Sequence, residues 1–201
     1  EALAESAVYS ASLLEKYGFT DIVLSVKASD VTEMIRANRI LHNMSGYPLH
    51  LGVTEAGTEL SSAIKSSAAL GGLLLAGIGD TVRISITGDP VREVVCAKEL
   101  LKSLGLKKGG VTFVSCPTCG RTKIDLVALA NAVEQKLCGC DKTIKVAVMG
   151  CVVNGPGEAR EADIGVAGGD GCGVIFRKGK IIKKVTEDRL LPELLSEVDK
   201  L

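Results

Sequence analysis

Three cysteines in the second half of the chain have the spacing and surroundings of metal ligands. Cys116 and Cys119 form a CxxC motif in CPTCGR, and such a turn directs two thiolates towards one point, where they ligate a metal or form a redox disulfide. Cys151 opens the segment CVVNGPGE, which also contains Glu158. Cys116 and Cys151 each follow an apolar stretch, VTFVS and TIKVAVM, of the kind that predicts a β-strand.

Parallel pairing of these two strands would bring both cysteine segments together, because the carboxyl ends of parallel strands lie at the same edge of a sheet. Three soft thiolates would then lie near the carboxylate of Glu158. This donor set suits an iron–sulfur cluster in which one iron keeps a labile site. Since a carboxylate is a hard ligand that exchanges, that iron could bind a substrate oxygen.

Cys138 and Cys140 in LCGCD support a different interpretation. Together with the CxxC motif, from which 18 residues separate them, they resemble the ligand spacing of a zinc ribbon, which would be a binding module without catalysis. Against this, residues 123–137 have the pattern of a helix, whereas a ribbon needs hairpins there. The ribbon also leaves the loop at residues 150–158 without a purpose.

The total of seven cysteines is odd, which argues against a closed set of disulfides and favours metal or redox chemistry. Cys96 lies in a predicted helix and Cys172 in a glycine-rich turn, so we interpret both as buried or incidental. The run GGDGCG at residues 168–173 lacks the Lys-Ser/Thr ending and the strand–helix setting of a phosphate-binding loop. We therefore interpret it as a turn.

Alternating strands and helices make up the first half of the chain. Apolar runs rich in β-branched residues predict strands at residues 21–26, 48–54 and 81–87. Apolar periodicity and capping residues predict helices at residues 2–17, 30–43, 58–75 and 90–104. This alternation is typical of parallel βα units, in a barrel wall or in an open sheet.

Further elements are predicted after the pattern resets at LKKGG, residues 106–110. Strands are predicted at residues 111–115 and 143–149, a helix at 123–137, two strands joined by a turn at 178–180, and a last helix at 187–200. We therefore expect two α/β domains, at residues 1–105 and 106–201.

Three charged residues lie at or near the ends of the first three strands. Lys27 ends the first strand, Glu55 ends the second, and Arg83 lies within the third. Barrel active sites lie at the carboxyl ends of the strands. Arg83 stands between Val82 and Ile84 in a strand predicted to be buried, where a charge needs a partner.

Length and charge exclude several classes of protein. The 201 residues are too few for a full (β/α)₈ barrel with a further domain, since the barrel alone needs roughly 250 residues. The 24 basic and 24 acidic residues leave no basic excess for nucleic acid. No apolar run reaches the roughly 20 residues of a membrane helix. We therefore expect no nucleic-acid or membrane partner and a cytoplasmic location.

Four segments resemble motifs of one known family, in the expected order: HLGVTEAG (50–57), GIGDTVRISITGDP (77–90), CPTCGR (116–121) and MGCVVNGPGEA (149–159). They are similar to the 4-hydroxy-3-methylbut-2-enyl diphosphate synthases, the IspG/GcpE family of the methylerythritol phosphate route to isoprenoids. The resemblance covers essentially the whole chain. It implies the last three βα units of a TIM barrel, then a small iron–sulfur domain of ferredoxin or sulfite-reductase type. Because the family's barrel has eight strands, we expect a C-terminal part of a longer polypeptide.

The resemblance also implies the cofactor and the reaction. A 4Fe–4S cluster would be held by three cysteines and one glutamate: Cys116, Cys119, Cys151 and Glu158. Cys138 and Cys140 would then have no role. The implied reaction is the reductive ring opening of 2-C-methyl-D-erythritol 2,4-cyclodiphosphate, a two-electron step with loss of water. Reduced ferredoxin or flavodoxin would supply the electrons.

Four further residues receive roles from the same resemblance. Lys27 and Arg83 would contact the diphosphate, Glu55 would act as an acid or base near the reacting hydroxyl, and Asn154 would orient the substrate beside the cluster. Simpler interpretations are a solvated loop lysine for Lys27, a helix cap for Glu55 and a turn residue for Asn154. His50 is interpreted as structural.

The family's enzymes are homodimers in which the cluster domain of one subunit closes over the barrel of the other, and the same is expected here. Beside the reductase and the zinc module, a third possibility is a fragment that assembles the cluster and does not turn over substrate.

Overall fold

Two compact units make up the chain in a computed structural model that describes residues 1–153 and 155–201. The first unit is Glu1–Lys107 and the second is Lys108–Leu201. Each combines helices with a sheet, so the predicted α/β class is confirmed. None of the helices in the described residues has both the length and the apolarity to cross a membrane.

Four helices and two short strands form the first unit. The helices are α1 (Ala2–Glu15), α2 (Val31–Met44), α3 (Glu59–Leu74) and α4 (Pro90–Ser103). The strands β1 (His50–Gly52) and β2 (Thr81–Arg83) pair in parallel. The helices agree closely with the predicted ranges, because their ends carry local signals. The Asp30 carboxylate accepts a bond from the Glu33 N–H at the start of α2, and Asp89 caps α4 in the same way.

The predicted strand at residues 21–26 is reduced to one isolated parallel bridge, between Leu24 and Leu49. Its backbone is nevertheless bonded to the neighbouring segment, since the His50 N–H donates to the Leu24 carbonyl at 2.8 Å. Burial alternates along it, with Leu24 and Val26 buried and the residue after each turned to the opposite face. The segment therefore continues the sheet of β1 and β2 without forming a regular ladder.

A five-stranded sheet forms the second unit. Its elements are β3 (Val111–Ser115), α5 (Leu126–Leu137), β4 (Ile144–Met149), the single turn α6 (Gly155–Glu158), β5 (Ile164–Gly168), β6 (Cys172–Arg177), β7 (Lys180–Thr186) and α7 (Leu190–Asp199). The order is β3-β4-β5-β6-β7, parallel from β3 to β5 and antiparallel from there to β7. Residues 168–173 contain the ends of two paired strands, so the predicted turn is confined to their centre.

Both faces of this sheet are covered. On one face Val133 of α5 and Leu194 of α7 are fully buried. On the other face Phe176 packs with alanines of the segment that follows α6. Gly165 on β5 makes this packing possible: a methyl group added there would collide with the Phe176 ring and lie 2.8 Å from the Ala147 carbonyl oxygen.

Replacing Gly165 with alanine should therefore destabilise the second unit. Overpacking a closed core costs about 1–3 kcal/mol, and we expect a loss of this size in the free energy of unfolding for Gly165→Ala, measured by chemical denaturation. Gly157→Ala is the matched control, because an added methyl group meets nothing within 4 Å. Equal losses in the two variants would contradict the packing described here.

Candidate active-site residues

A polar face of the first unit brings together residues from three consecutive segments. Gly52 of β1 lies opposite Arg83 of β2 in the parallel register. A methyl group added at Gly52 would lie 3.1 Å from the Lys27 Cε and 3.1 Å from the Arg83 carbonyl oxygen. The Lys27 side chain therefore passes over Gly52 towards Arg83. We call Lys27, Gly52 and Arg83 the cationic row.

The expectation that Arg83 is buried in its strand is wrong. Its side chain is exposed, whereas Ile84 is 2% exposed and belongs to the core. Successive side chains of a strand point to opposite faces, so Arg83 lies on the polar face with Lys27. Arg83 therefore does not need a charged partner inside the core.

Electrostatics in the cationic row favour an anion. Burial and then the Arg83 guanidinium lower the pKa of Lys27 below its usual value. Among the ion pairs of the described residues none includes Lys27 or Arg83. Each positive charge therefore raises the free energy of the other. An anion placed between them would be attracted by both.

A second row of polar side chains lies next to the cationic row. The Lys27 ammonium donates to the Ser25 hydroxyl, which donates to the His50 carbonyl at 2.8 Å. The His50 Nδ1 lies 2.8 Å from Thr81 Oγ1. Burial, followed by the charges of Lys27 and Arg83, lowers the pKa of His50. The bond to Ser25 holds the Lys27 ammonium in place, and the lowered pKa of His50 favours the neutral form of its imidazole.

Glu55 follows β1 on an exposed loop and has a left-handed backbone, with φ +53°. This conformation costs a non-glycine residue roughly 1–2 kcal/mol, and such strain is concentrated at functional sites. Glu55 does not cap the next helix, because the residue at the start of α3 is Thr58. The simpler interpretation of Glu55 is therefore wrong. The loop is fixed by the Thr87 N–H, which donates to the Gly57 carbonyl at 2.9 Å.

Two polar side chains that the sequence analysis missed support the segment after β2. The Ser62 hydroxyl, fully buried on α3, donates to the Ser85 carbonyl at 2.7 Å. The Glu93 carboxylate on α4 accepts from the Ile86 N–H at 2.8 Å. A small polar residue at a core-facing helix position is the signal that could have indicated Ser62. These bonds attach both helices to the segment that directly follows Arg83.

Parallel pairing of β3 and β4 places Cys116 next to the loop that contains Cys151. Ser115 lies opposite Val148 in the register, and the Gly150 N–H donates to Cys116 Sγ at 3.2 Å. The segments at residues 116–122 and 150–153, here called the cysteine loops, are therefore in contact. This agrees with the arrangement expected from the two strand ends.

Cys119 lies in the same turn and is exposed. Its pKa is lowered, first by a hydrogen bond from the Arg121 backbone and also by the Thr122 side chain and backbone. Donors of this kind stabilise a thiolate, which is the form that binds metals. Cys116 and Cys151 are half-buried, and both are free thiols.

The chain after Cys151 folds back onto its own strand. The Gly155 N–H donates to the Cys151 carbonyl at 3.0 Å, and a methyl group added at Gly155 would lie 2.8 Å from the Met149 Cβ. Glu158 ends α6 on this same loop and is exposed. Asn154, the predicted substrate-orienting amide, lies outside the described residues.

The remaining four cysteines lie outside the two cysteine loops. Cys138 directly follows α5 and is exposed, and Cys140 packs against the helix-covered core. A helix, not a pair of hairpins, therefore separates Cys138 from the CxxC motif, which is not the structure of a zinc ribbon. Cys96 lies in α4, where burial raises its pKa, and Cys172 begins β6 instead of lying in a turn.

Two domain models of one known family match consecutive parts of the chain. Residues 1–98 match the GcpE TIM-barrel domain, and residues 112–200 match the GcpE protein C-terminal domain. A protein of Clostridium acetobutylicum named 4-hydroxy-3-methylbut-2-en-1-yl diphosphate synthase (flavodoxin) is 60% identical over 199 residues, covering 99% of this chain and 57% of the relative.

Proteins of the same name from Caldanaerobacter subterraneus and Geobacter sulfurreducens are 59% and 53% identical over 201 residues. Each alignment covers 100% of this chain and 57% of the relative. The chain thus spans little more than half the length of the curated relatives described here.

Substitution at Glu55 should separate backbone strain from side-chain chemistry. Because glycine adopts a left-handed conformation without steric cost, Glu55→Gly should be about 1 kcal/mol more stable to unfolding than Glu55→Ala. Chemical denaturation of both variants measures the difference. Equal stabilities would show that residue 55 is not strained in solution.

Removing the Arg83 charge should raise the pKa of Lys27 towards its usual value of 10.5. We expect this for Arg83→Met, with the pKa measured by NMR of ¹³C-labelled lysine side chains. Since a lysine pKa lowered by folding makes stability rise between the folded and unfolded pKa values, this rise should be smaller in the variant. Arg39→Met, on the exposed face of α2, is the control, and an equal shift there would rule out a specific effect of Arg83.

Proposed function

The chain belongs to the GcpE family, and on this basis we propose that it serves the reductive ring opening of 2-C-methyl-D-erythritol 2,4-cyclodiphosphate. The product would be (E)-4-hydroxy-3-methylbut-2-enyl diphosphate, in the methylerythritol phosphate route to isoprenoids. The observation that carries the proposal is the contact between the two cysteine loops, in which the Gly150 N–H donates to Cys116 Sγ.

The second unit would hold a 4Fe–4S cluster. The proposed ligands are three thiols and one carboxylate: Cys116, Cys119, Cys151 and Glu158. Hydrogen bonds from the backbone to sulfur are characteristic of cluster ligands, and the cysteine loops already provide one. When bound, the cluster would supply electrons and a Lewis acid for the leaving oxygen.

A cluster places a different demand on the positions of its protein ligands than a single metal ion does. No group of three or more His, Cys, Asp or Glu side chains within the described part of the chain could hold one metal ion. In a cluster each protein ligand binds a different iron, so the ligands surround the group instead of meeting at one point. The neighbouring ends of β3 and β4 could support ligands arranged in this way.

The cationic row would bind the diphosphate of the substrate. Burial and, after it, the charge of Arg83 lower the pKa of Lys27, and the two positive charges repel each other in the absence of an anion. A diphosphate between them removes this repulsion and gains charge-assisted hydrogen bonds. The absence of a side chain at Gly52 leaves room for the Lys27 side chain to approach Arg83.

Glu55 and Asn154 would act on the reacting part of the substrate. Glu55 is placed by a strained loop at the end of β1, and its carboxyl group would transfer a proton near the reacting hydroxyl. Asn154 would orient the substrate beside the cluster with its side-chain amide. The reaction takes up two electrons and releases water, so a proton donor is needed as well as an electron source.

Reduced flavodoxin is the proposed electron donor, because flavodoxin appears in the names of the curated relatives; reduced ferredoxin is a second carrier of the same class. We further propose that the protein acts as a homodimer, as the family resemblance implies.

Anaerobic reconstitution with iron and sulfide should give a brown protein containing equal amounts of both. We expect Cys151→Ser to lose most of the bound iron and the visible absorption, because one of three thiolate ligands is missing. Cys138→Ser, altered at an exposed thiol at the end of α5, should keep both. The reverse result, with loss of metal only on changing Cys138, would support the zinc module.

An anaerobic turnover assay with the cyclodiphosphate and a reduced one-electron donor tests the reaction itself. Lys27→Met and Arg83→Met should each reduce kcat/KM by about tenfold to a hundredfold, as expected for loss of a charge-assisted hydrogen bond. A chain that carries the cluster but never consumes the cyclodiphosphate would show that the assigned reaction needs more than these two units.

A further inference from the structure

Thr122 ends the first cysteine loop, contacts the second, and has no role in the proposed reaction. Its hydroxyl oxygen accepts a hydrogen bond from the Cys119 N–H at 3.2 Å, and its own N–H donates to the Cys119 carbonyl at 3.0 Å. These two bonds close the turn that follows the CxxC motif. The side chain is half-buried, so its position is limited by what packs against it.

Gly150 is the residue that Thr122 packs against. A methyl group added at Gly150 would lie 2.8 Å from the Thr122 Oγ1 and 3.0 Å from its Cγ2. The Thr122 side chain thus occupies the space that a side chain at position 150 would need. The Lys123 N–H donates to the Gly150 carbonyl at 3.1 Å, which joins the same two loops a second time.

The contact with Thr122 also limits the position of the Gly150 N–H, which lies on the opposite side of this residue from its carbonyl group. The Gly150 N–H is the group that donates to Cys116 Sγ. Displacement of Gly150 relative to the CxxC turn would lengthen or bend this bond, and hydrogen bonds weaken steeply with angle. One threonine therefore supports the backbone of Cys119 directly and the hydrogen bond to Cys116 through Gly150.

We propose that Thr122 is a positioning residue for the iron–sulfur ligands, holding the two cysteine loops in register so that the Gly150 N–H stays directed at Cys116 Sγ. The inference rests on the proposed function for its redox consequence. Reduction adds a negative charge to a cluster, and hydrogen bonds to the ligand sulfurs stabilise that charge. Loss of the threonine hydroxyl should make the cluster harder to reduce and easier to lose.

Two substitutions separate the hydroxyl from the shape of the side chain. Thr122→Val keeps the branched shape and removes the acceptor of the Cys119 N–H. Thr122→Ser keeps the acceptor and removes the methyl group. Thr112→Val makes the same chemical change at an exposed position on β3 and serves as the control.

The cluster-free protein gives a readout that does not depend on the proposed function. In Thr122→Val we expect the Cys119 and Gly150 amides to exchange hydrogen about fivefold faster than in the unaltered chain, since about 1 kcal/mol of hydrogen-bond stabilisation is lost. Gly150 is the decisive probe, because its amide is bonded to Cys116 and not to Thr122. Unchanged exchange at Gly150 would overturn the positioning role.

The reconstituted protein gives the second readout. A redox titration followed by electron paramagnetic resonance should show a lower midpoint potential for Thr122→Val, and a chelator should remove its iron several-fold faster. Thr122→Ser and Thr112→Val should resemble the unaltered protein in both measurements. A valine variant with unchanged potential and iron loss, or a serine variant as impaired as the valine one, would overturn the inference.

Failure of the two proposals can be told apart. If the unaltered chain assembles no cluster while Thr122→Val still accelerates exchange at Gly150, the proposed cofactor is wrong and the contact between the loops stands. If the cluster assembles and the valine variant behaves as the unaltered chain in every measurement, the role of Thr122 is wrong and the proposed function stands.

Discussion

The carboxyl ends of parallel strands meet at one edge of a sheet, and this constraint places the chemical groups in both units of the chain. In the first unit it brings Lys27 and Arg83, 56 positions apart in sequence, to the same polar face. In the second it sets Cys116 beside the loop of Cys151, close enough for a backbone N–H to reach the sulfur. Neither pair could form on strands that ran in opposite directions, because the following loops would leave from opposite edges.

At both sheet edges, a side chain from one segment comes close to the backbone of the next segment only because a glycine stands there. Gly52 lets the lysine side chain cross to the neighbouring strand, and Gly150 makes room for a threonine from the opposite loop. In each case the space released by a missing Cβ is filled by part of a polar side chain. A glycine in a strand or just after it often marks such an approach, so these residues belong to the sites although they contribute no functional group.

Helices and strands of this chain could largely be predicted from sequence, because capping residues and apolar periodicity are local signals. Asp30, Asp89 and the apolar stretch before Cys116 are examples. The exposure of Arg83 could not be predicted, since it depends on which face of the sheet is covered. The left-handed backbone of Glu55 could not be predicted either, since it depends on how the loop after β1 is bonded to the segment after β2. The bond from Ser62 to the strand end also required the fold. The cluster ligands and the role of Asn154 stay predictions.

Strand β7 has a consequence for how the second unit behaves at high concentration. It lies at the edge of the five-stranded sheet, and Ile181 and Ile182 on it are 59% and 46% exposed. An exposed edge with apolar side chains can add a strand from another molecule, which is how many sheets aggregate. Lys180 and Lys184 stand on either side of the two isoleucines, and a second copy would bring the same positive charges against them, whereas Lys183 is paired with Glu193. Edge-to-edge association of identical sheets is therefore opposed by like charge along this edge.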